Sequence, residues 1–321
     1  MNSKEVLECV KERLPGTSVK GHRVHPYRNS RIFVIDLLQG SDSCKVVVKI
    51  SRNFRPGNVA LEYENLSRFH QACQDPQISS PEPLFAEPKE GILAMRYVEG
   101  TVLSHMLHEI RPVSTDFLKN AIDLSAVALA RFHQLFSWPE GTQPHIDPSA
   151  VEEEINRCIK ETSKAIDGCS LRMMVTPFFD FTTWNIIVGD GGRRLYLIDF
   201  PRNDYIFTPH LDLARFRFGL ELIKQFPPAR FLGINRWDLE ELFDRFLAGY
   251  CREMGVQLNE EDLRLICCFR RGYIRRCQDL SRKGDCGLQP RLEIAYLRTF
   301  CQDWLDQRGS PAIWEKKARI R

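Results

Sequence analysis

Apolar residues recur along this chain with two different periods, and the change of period divides it. Residues 19–50 read as strands. Arg31-Ile32-Phe33-Val34-Ile35-Asp36-Leu37-Leu38 and Cys44-Lys45-Val46-Val47-Val48-Lys49-Ile50 are rich in β-branched side chains and are joined by the polar turn Gly40-Ser41-Asp42-Ser43. Before them, Val6, Leu7 and Val10 share one side of a helix over 4–14, which Pro15-Gly16 ends. After them, residues 59–70 predict a helix in which Leu66 and Phe69 follow Glu62 at helical spacing. A proline-rich loop (Ser80-Pro81-Glu82-Pro83) leads into a further strand over 91–100. The longer period then takes over. Leu118, Ala121, Ile122, Ser125, Ala128, Leu129, Phe132, Leu135 and Phe136 line one face of a helix from Asp116 to Phe136, with Ser114 or Thr115 as its cap. Val151, Ile155, Cys158, Ile159 and Ile166 predict another over 149–166, and helices are expected over 212–224, 237–254, 260–280 and 289–307. A strand-rich beginning and a helical remainder make an α+β fold.

One short stretch interrupts the helices. Asn185–Val188 and Leu195–Ile198 are apolar strands joined by Gly189-Asp190-Gly191-Gly192, a hairpin turn whose residues tolerate positive φ. Asp180 precedes the first strand, Asn185 opens it and Asp199 closes the second. The hairpin is expected to bring them to one end. Two carboxylates and an amide form an oxygen-rich donor set suited to a hard divalent cation. Lys49 is a second anomaly, a charge near the end of an apolar strand.

These residues resemble the aminoglycoside phosphotransferase and choline kinase branch of the protein-kinase-like fold. The match is Asp180, four residues, Asn185, a hairpin, then Ile198-Asp199-Phe200, with Lys49 and the Glu62 helix upstream in the same order. The resemblance implies two lobes: a β-rich N-lobe over 1–95, a hinge over 96–100, and a helical C-lobe over 101–321 that carries the catalytic loop and hairpin. ATP would lie between the lobes. Lys49 would position the α/β-phosphates and Glu62 would hold Lys49, with Glu64 as the other candidate. Asn29 and Ser30, in the loop before the Arg31–Leu38 strand, would offer donors to the phosphates. Met95 would lie behind the adenine, and Tyr97 and Val98 would present backbone groups to it. Asp199 and Asn185 would bind Mg²⁺, and Asp180 would act as catalytic base. Asp212, in Pro209-His210-Leu211-Asp212-Leu213-Ala214, would brace the catalytic loop, and His133 would be a packed, hydrogen-bonded histidine. Two departures stand out. Phe178 occupies the place of the family's usual histidine, and no glycine lies between Gly21 and Gly40.

Composition narrows the function further. A net charge of +3 over 321 residues does not argue for nucleic acid. No apolar run approaches the roughly 18 residues of a membrane helix. Eleven cysteines without a CxxC pair, behind an N-terminus lacking the apolar core of a signal peptide, point to reduced thiols and a cytoplasmic location. Arg264, Arg270, Arg271, Arg275, Arg276, Arg282 and Lys283 form either a solvated helix face or a basic wall for an anionic acceptor or surface. The expected activity is transfer of the ATP γ-phosphate to a hydroxyl of a small molecule or sugar, including one carried on a glycolipid. The alternative is a nucleotide-binding pseudokinase that acts as a scaffold.

Overall fold

The computed structural model describes residues 2–26, 30–51, 55–108, 114–137, 176–177, 179–201, 206–224, 237–267 and 269–270. By their internal contacts they form two compact units: Met1–Thr101 with Ile186–Asp204, and Val102–Asn185 with Tyr205–Arg321. The hairpin thus groups with the strand-rich first unit, whereas the sequence-based boundary ran it with the helical lobe.

The first unit opens with α1 (Ser3–Arg13). Asn2 caps it by accepting from Glu5 N at 3.1 Å, and the Glu5 carboxylate returns a bond to Asn2 N at 2.7 Å. Then come β1 (Thr17–Pro26), β2 (Ser30–Gln39), β3 (Asp42–Ser51), α2 (Pro56–Ala72), β4 (Ile78–Ser79), β5 (Pro83–Glu87) and β6 (Ile92–Arg96). Five strands form an antiparallel sheet in the order β1-β2-β3-β6-β5. Alternation decides its faces. Phe33, Ile35, Leu37, Val46, Val48, Ile50, Ile92 and Ala94 point one way and are covered by Val6 and Val10 of α1. The opposite face carries Val47 paired with Met95 and Lys49 paired with Leu93. Lys49 and Met95 therefore share the face turned away from α1.

The strand expected over 91–100 ends at Arg96. Arg96 N turns to Glu82 O at 2.8 Å and Tyr97 N to Lys45 O at 3.0 Å. Beyond them the chain presses against the hairpin. A Cβ on Gly100 would stand 2.6 Å from Val188 O, and one on Gly189 would stand 2.7 Å from Glu99 O. Only glycines allow two backbones this close. The hairpin strands, β9 (Ile186–Gly189) and β10 (Arg194–Leu197), are offset from the predicted ones by one residue. The turn is shorter than expected, a single 3₁₀ turn over Asp190–Gly192, with φ of 47° at Asp190, 61° at Gly191 and 87° at Gly192. β10 also pairs in parallel with β4. The chain leaves this unit through β7 (Thr101–Val102).

The second unit holds α3 (Leu103–His108), α4 (Thr115–Phe136), the short antiparallel pair β8 (Thr176–Pro177) and β11 (Ile206–Phe207), α5 (His210–Lys224), α6 (Leu239–Met254) and α7 (260–267). Ser114 takes the N-cap position of α4 but makes no side-chain cap bond, so the expected cap is positional only. The α4 stripe is buried as its spacing predicts, except for half-buried Leu135. α4 and α6 approach closely where a Cβ on Gly249 would meet Ala126 Cβ at 3.0 Å. Buried charges join α5, α6 and the residues after α7. Arg217 bonds Glu221 Oε1 at 2.7 Å and also Glu240, and Arg270 Nε reaches Glu221 Oε2 at 2.7 Å. Burial pulls the Arg217 pKa down, but the two carboxylates outweigh it and hold the group above its ordinary range.

Arg270 is thus neither part of a solvated face nor part of a basic wall, while exposed Arg264 pairs with Glu260 and Glu261. The arginines from Arg271 onward, the helices expected over 149–166 and 289–307, and Phe178 lie outside the described residues. Cys9, Cys44, Cys73 and Cys251 are free thiols. Among the described residues no helix is long and apolar enough to cross a membrane.

Candidate active site

The first unit gathers Lys49, Glu62 and Asp199. Lys49 Nζ donates to Glu62 Oε1 at 2.6 Å and to Asp199 Oδ1. Lys49 and Glu62 are buried, so the ammonium is tolerable only because two carboxylates meet it. α2 supplies more than Glu62. Its buried face carries Glu62, Asn65, Leu66 and Phe69, the 3.6-residue stripe of a packed helix. Asn65 Nδ2 donates to Pro201 O at 3.1 Å, and Phe69 packs on Phe200 with ring centroids 5.4 Å apart. One helix face therefore clips the segment that carries Asp199. Glu64 is exposed, which settles the choice between the two glutamates. Asp199 has φ +62°, a left-handed conformation that is costly for a residue with a Cβ.

The sheet places the remaining first-unit candidates. Ser30 opens β2 opposite Ser51, Met95 is buried in β6, and Tyr97 and Val98 are half-buried just beyond it. Asn29 lies outside the described residues.

The second unit brings Asp180 and Asn185 together. Asp180 also has positive φ, +58°, and its carbonyl accepts from Asn185 Nδ2 at 3.1 Å. Its flanking residues anchor it. Phe179 and Phe181 are fully buried in a run of phenylalanines, Phe179 on Phe132 at 4.5 Å and Phe181 on Phe216 at 5.5 Å. Their N–H groups donate to Asp212 Oδ2 and Oδ1, each at 3.2 Å. Asp212 therefore braces the loop through its backbone. Behind it, His133 Nε2 lies 3.3 Å from Asp212 Oδ2, and His133 Nδ1 lies 2.8 Å from Tyr250 Oη. The two ring nitrogens thus link the tyrosine hydroxyl to the carboxylate. Burial first, then the Asp212 charge, raise the Tyr250 phenol well above its ordinary value. His133 is therefore a structural link.

With its backbone fixed, the Asp180 side chain faces solvent. Arg215 of α5 donates to its Oδ1 and lies over the Phe218 ring at 5.4 Å. The Oδ2 atom is left to accept another proton.

Asn65, Arg215 and Tyr250 were absent from the sequence reading. Asn65 was findable, since it follows Glu62 by three residues on the same helix face. Arg215 follows Asp212 by three in α5, but nothing local ties it to Asp180. Tyr250 gives no signal beyond its place on the buried face of α6.

Asp199 and Asn185 are each hard oxygen donors of the kind Mg²⁺ takes. Asp199 supplies a half-exposed carboxylate in the first unit, and Asn185, whose amide nitrogen is committed to the Asp180 carbonyl, supplies an amide oxygen in the second. No cluster of three His, Cys, Asp or Glu side chains occurs among the described residues. Mg²⁺ does not require one, because it is held by one or two carboxylates together with waters and substrate phosphates.

No family model and no curated protein matches this chain. Solved structures do. A spectinomycin phosphotransferase in complex with ADP and spectinomycin superposes at TM-score 0.55 and 13% identity, over 93% of this chain and 94% of its own. A microcompartment-associated aminopropanol kinase superposes at 0.54 and 12%, over 92% and 94%. A glucosamine kinase in complex with glucosamine, ADP and inorganic phosphate superposes at 0.53 and 14%, over 95% and 87%. At these identities the likeness is one of fold, and the chain has the kinase-like α+β fold shared by these small-molecule phosphotransferases.

Proposed function

We propose that the chain transfers the γ-phosphate of ATP to a hydroxyl of a small molecule or sugar. The observation that carries this reading is the buried Lys49, held by Glu62 and Asp199 on the sheet face that also bears Met95. The Lys49 ammonium meets one fully buried carboxylate, Glu62, and one half-exposed carboxylate, Asp199. It is suited to exchange one of them for phosphate oxygens. Lys49 then orients the α/β-phosphates and Glu62 keeps it in place. Met95 forms an apolar wall for the adenine. With the Arg96 and Tyr97 N–H groups engaged by Glu82 and Lys45, the base edge falls to the Val98 backbone. Ser30 offers a hydroxyl to the phosphates, as Asn29 would beside it. Asp199 and Asn185 are the residues that would hold Mg²⁺, which supplies charge neutralisation on the transferring group.

Asp180 serves the acceptor. Its Oδ2 takes the proton of the acceptor hydroxyl as that oxygen forms its bond to the γ-phosphorus and the bond to the β,γ-bridging oxygen breaks, releasing ADP. Arg215 holds Oδ1 and so fixes which oxygen points at the hydroxyl. The neighbours in the fold, phosphotransferases and kinases in complex with ADP among them, support this reading.

The test is thermal unfolding with ATP, with and without Mg²⁺. We expect stabilisation that requires Mg²⁺ in the native chain and vanishes in Asp199→Ala. Asp180→Asn is expected to keep that stabilisation and lose transfer; near-normal turnover by this variant would remove the catalytic assignment. No shift at millimolar ATP in the native chain would favour the scaffold reading.

A further inference from the structure

The loop from Phe179 to Asn185 separates its side chains cleanly. Phe179, Phe181, Thr182 and Thr183 are buried, while Asp180 and Trp184 reach solvent. Trp184 is 39% exposed, and among the described residues only Val24 joins it as an exposed large hydrophobic side chain. The loop has little freedom to tuck the indole away. Asp212 holds the N–H groups of Phe179 and Phe181, Asn185 N donates to Thr182 O at 3.0 Å, and Ser104 N donates to Thr183 O at 3.0 Å. α5 presses on it from behind, where a Cβ on Gly219 would stand 3.3 Å from Thr183 N. An indole displayed in water on a pinned loop forfeits burial that favours large aromatic side chains. It is also pre-organised for a ligand. Trp184 and Asp180 are four residues apart, so their Cα atoms are separated by at most about 14 Å.

We propose that Trp184 is the platform on which the phosphate acceptor lies, and that the acceptor is a saturated hydroxylated ring, a sugar or cyclitol, stacked by its C–H face on the indole. This rests on the phosphotransferase reading and narrows its substrate. The electron-rich face of an indole attracts the weakly positive C–H groups of such a ring while its hydroxyls stay outward, one of them toward Asp180. A short linear amino alcohol covers too little of the indole to gain from it. A quaternary ammonium is held by a cage of several aromatics, and the neighbouring Phe179 and Phe181 are buried and unable to build one.

The experiment measures transfer at saturating MgATP to glucosamine, glucose and myo-inositol, and to ethanolamine, choline and 3-aminopropan-1-ol, for the native chain, Trp184→Phe and Trp184→Ala. Indole fluorescence is followed as each compound is added. The native chain is expected to use at least one ring acceptor with a kcat/KM tenfold or more above every linear one. Trp184→Ala raises KM for that ring at least fivefold with kcat changed much less, Trp184→Phe restores most of it, and ring-dependent quenching in the native chain is lost in Trp184→Phe. Preference for a linear acceptor overturns the proposal, as does a KM change below fivefold in Trp184→Ala. So does a native chain that MgATP stabilises but that neither phosphorylates nor is quenched by any of the three rings. Absence of MgATP stabilisation removes the phosphotransferase reading and this proposal with it, and the thermal shift alone identifies that outcome.

Discussion

Two glutamates two positions apart on α2 behave as different chemical species because one faces inward. Glu62 is 1% exposed and meets Lys49 at 2.6 Å, whereas Glu64 is solvent-facing. Losing the Glu62 charge leaves Lys49 still paired with Asp199, so the cost is that of one charge-assisted hydrogen bond, about 1.5–3 kcal/mol. Substitutions at an exposed position cost within about 0.5 kcal/mol. Glu62→Gln is therefore expected to lower the unfolding free energy of the first unit by about 2 kcal/mol and Glu64→Gln to leave it nearly unchanged. Urea titrations of the two variants check this; equal costs would mean that Lys49 is not held by Glu62. Asp180 and Asp199 show the same economy of position. Each sits at positive φ, a strain that persists only where the surroundings fix it. Those surroundings are Asn185 and the Asp212-bound backbone for one, and Asn65 with the Phe69–Phe200 contact for the other.

At the scale of elements, the hairpin and the segment after β6 meet through two glycines. Gly189→Ala sets a Cβ 2.7 Å from Glu99 O, a backbone atom that has to move with its chain. A cost of about 1–3 kcal/mol is expected, as for overpacking generally. Gly57→Ala, in the first turn of α2 with nothing within 4 Å of its Cβ, is expected to stabilise by up to about 1 kcal/mol. Opposite signs in denaturant midpoints would verify the contrast. These elements also mark what a sequence can disclose. β2, β3, α2 and α4 follow from local pattern, whereas β5 (Pro83–Glu87) begins inside the expected proline-rich loop and was not foreseen. Lys49 and Glu62 follow because a charge among apolar strand residues and a glutamate on a helix's apolar face are local anomalies. The one-residue offset of the hairpin strands and the early end of β6 were hidden, because backbone contacts between Glu99–Gly100 and Val188–Gly189 impose them. Arg215 and Tyr250 were hidden for a related reason. Their partners Asp180 and His133 are 35 and 117 positions away, and pattern within one element carries no information about such pairings.

On the scale of the molecule, the bracing of the Asp180 loop ties stability to pH. Tyr250 Oη lies 2.8 Å from His133 Nδ1, His133 Nε2 lies 3.3 Å from Asp212 Oδ2, and Asp212 holds the loop backbone. Truncation to phenylalanine leaves His133 Nδ1 buried without its hydroxyl partner, a loss of about 1–3 kcal/mol at neutral pH. The alkaline behaviour is more diagnostic. Burial, then the Asp212 charge, keep the folded-state phenol protonated well above its ordinary value of about 10. Below that pH both states hold the proton and the group adds no slope. Above it the unfolded chain releases a proton that the folded unit retains, so stability falls as pH rises, by about 1.4 kcal/mol per unit from this group. Cys251 adds a slope of the same sign, since burial raises its thiol too, but it does so in both proteins. Tyr250→Phe should therefore be less stable than the native chain at pH 8 and lose less per unit above about pH 10, so that the two curves converge. Urea unfolding of the helical unit between about pH 8 and pH 11 tests this. Parallel curves would mean that Tyr250 ionises alike in both states, and the hydrogen-bonded path from α6 to the Asp180 loop would lose its support.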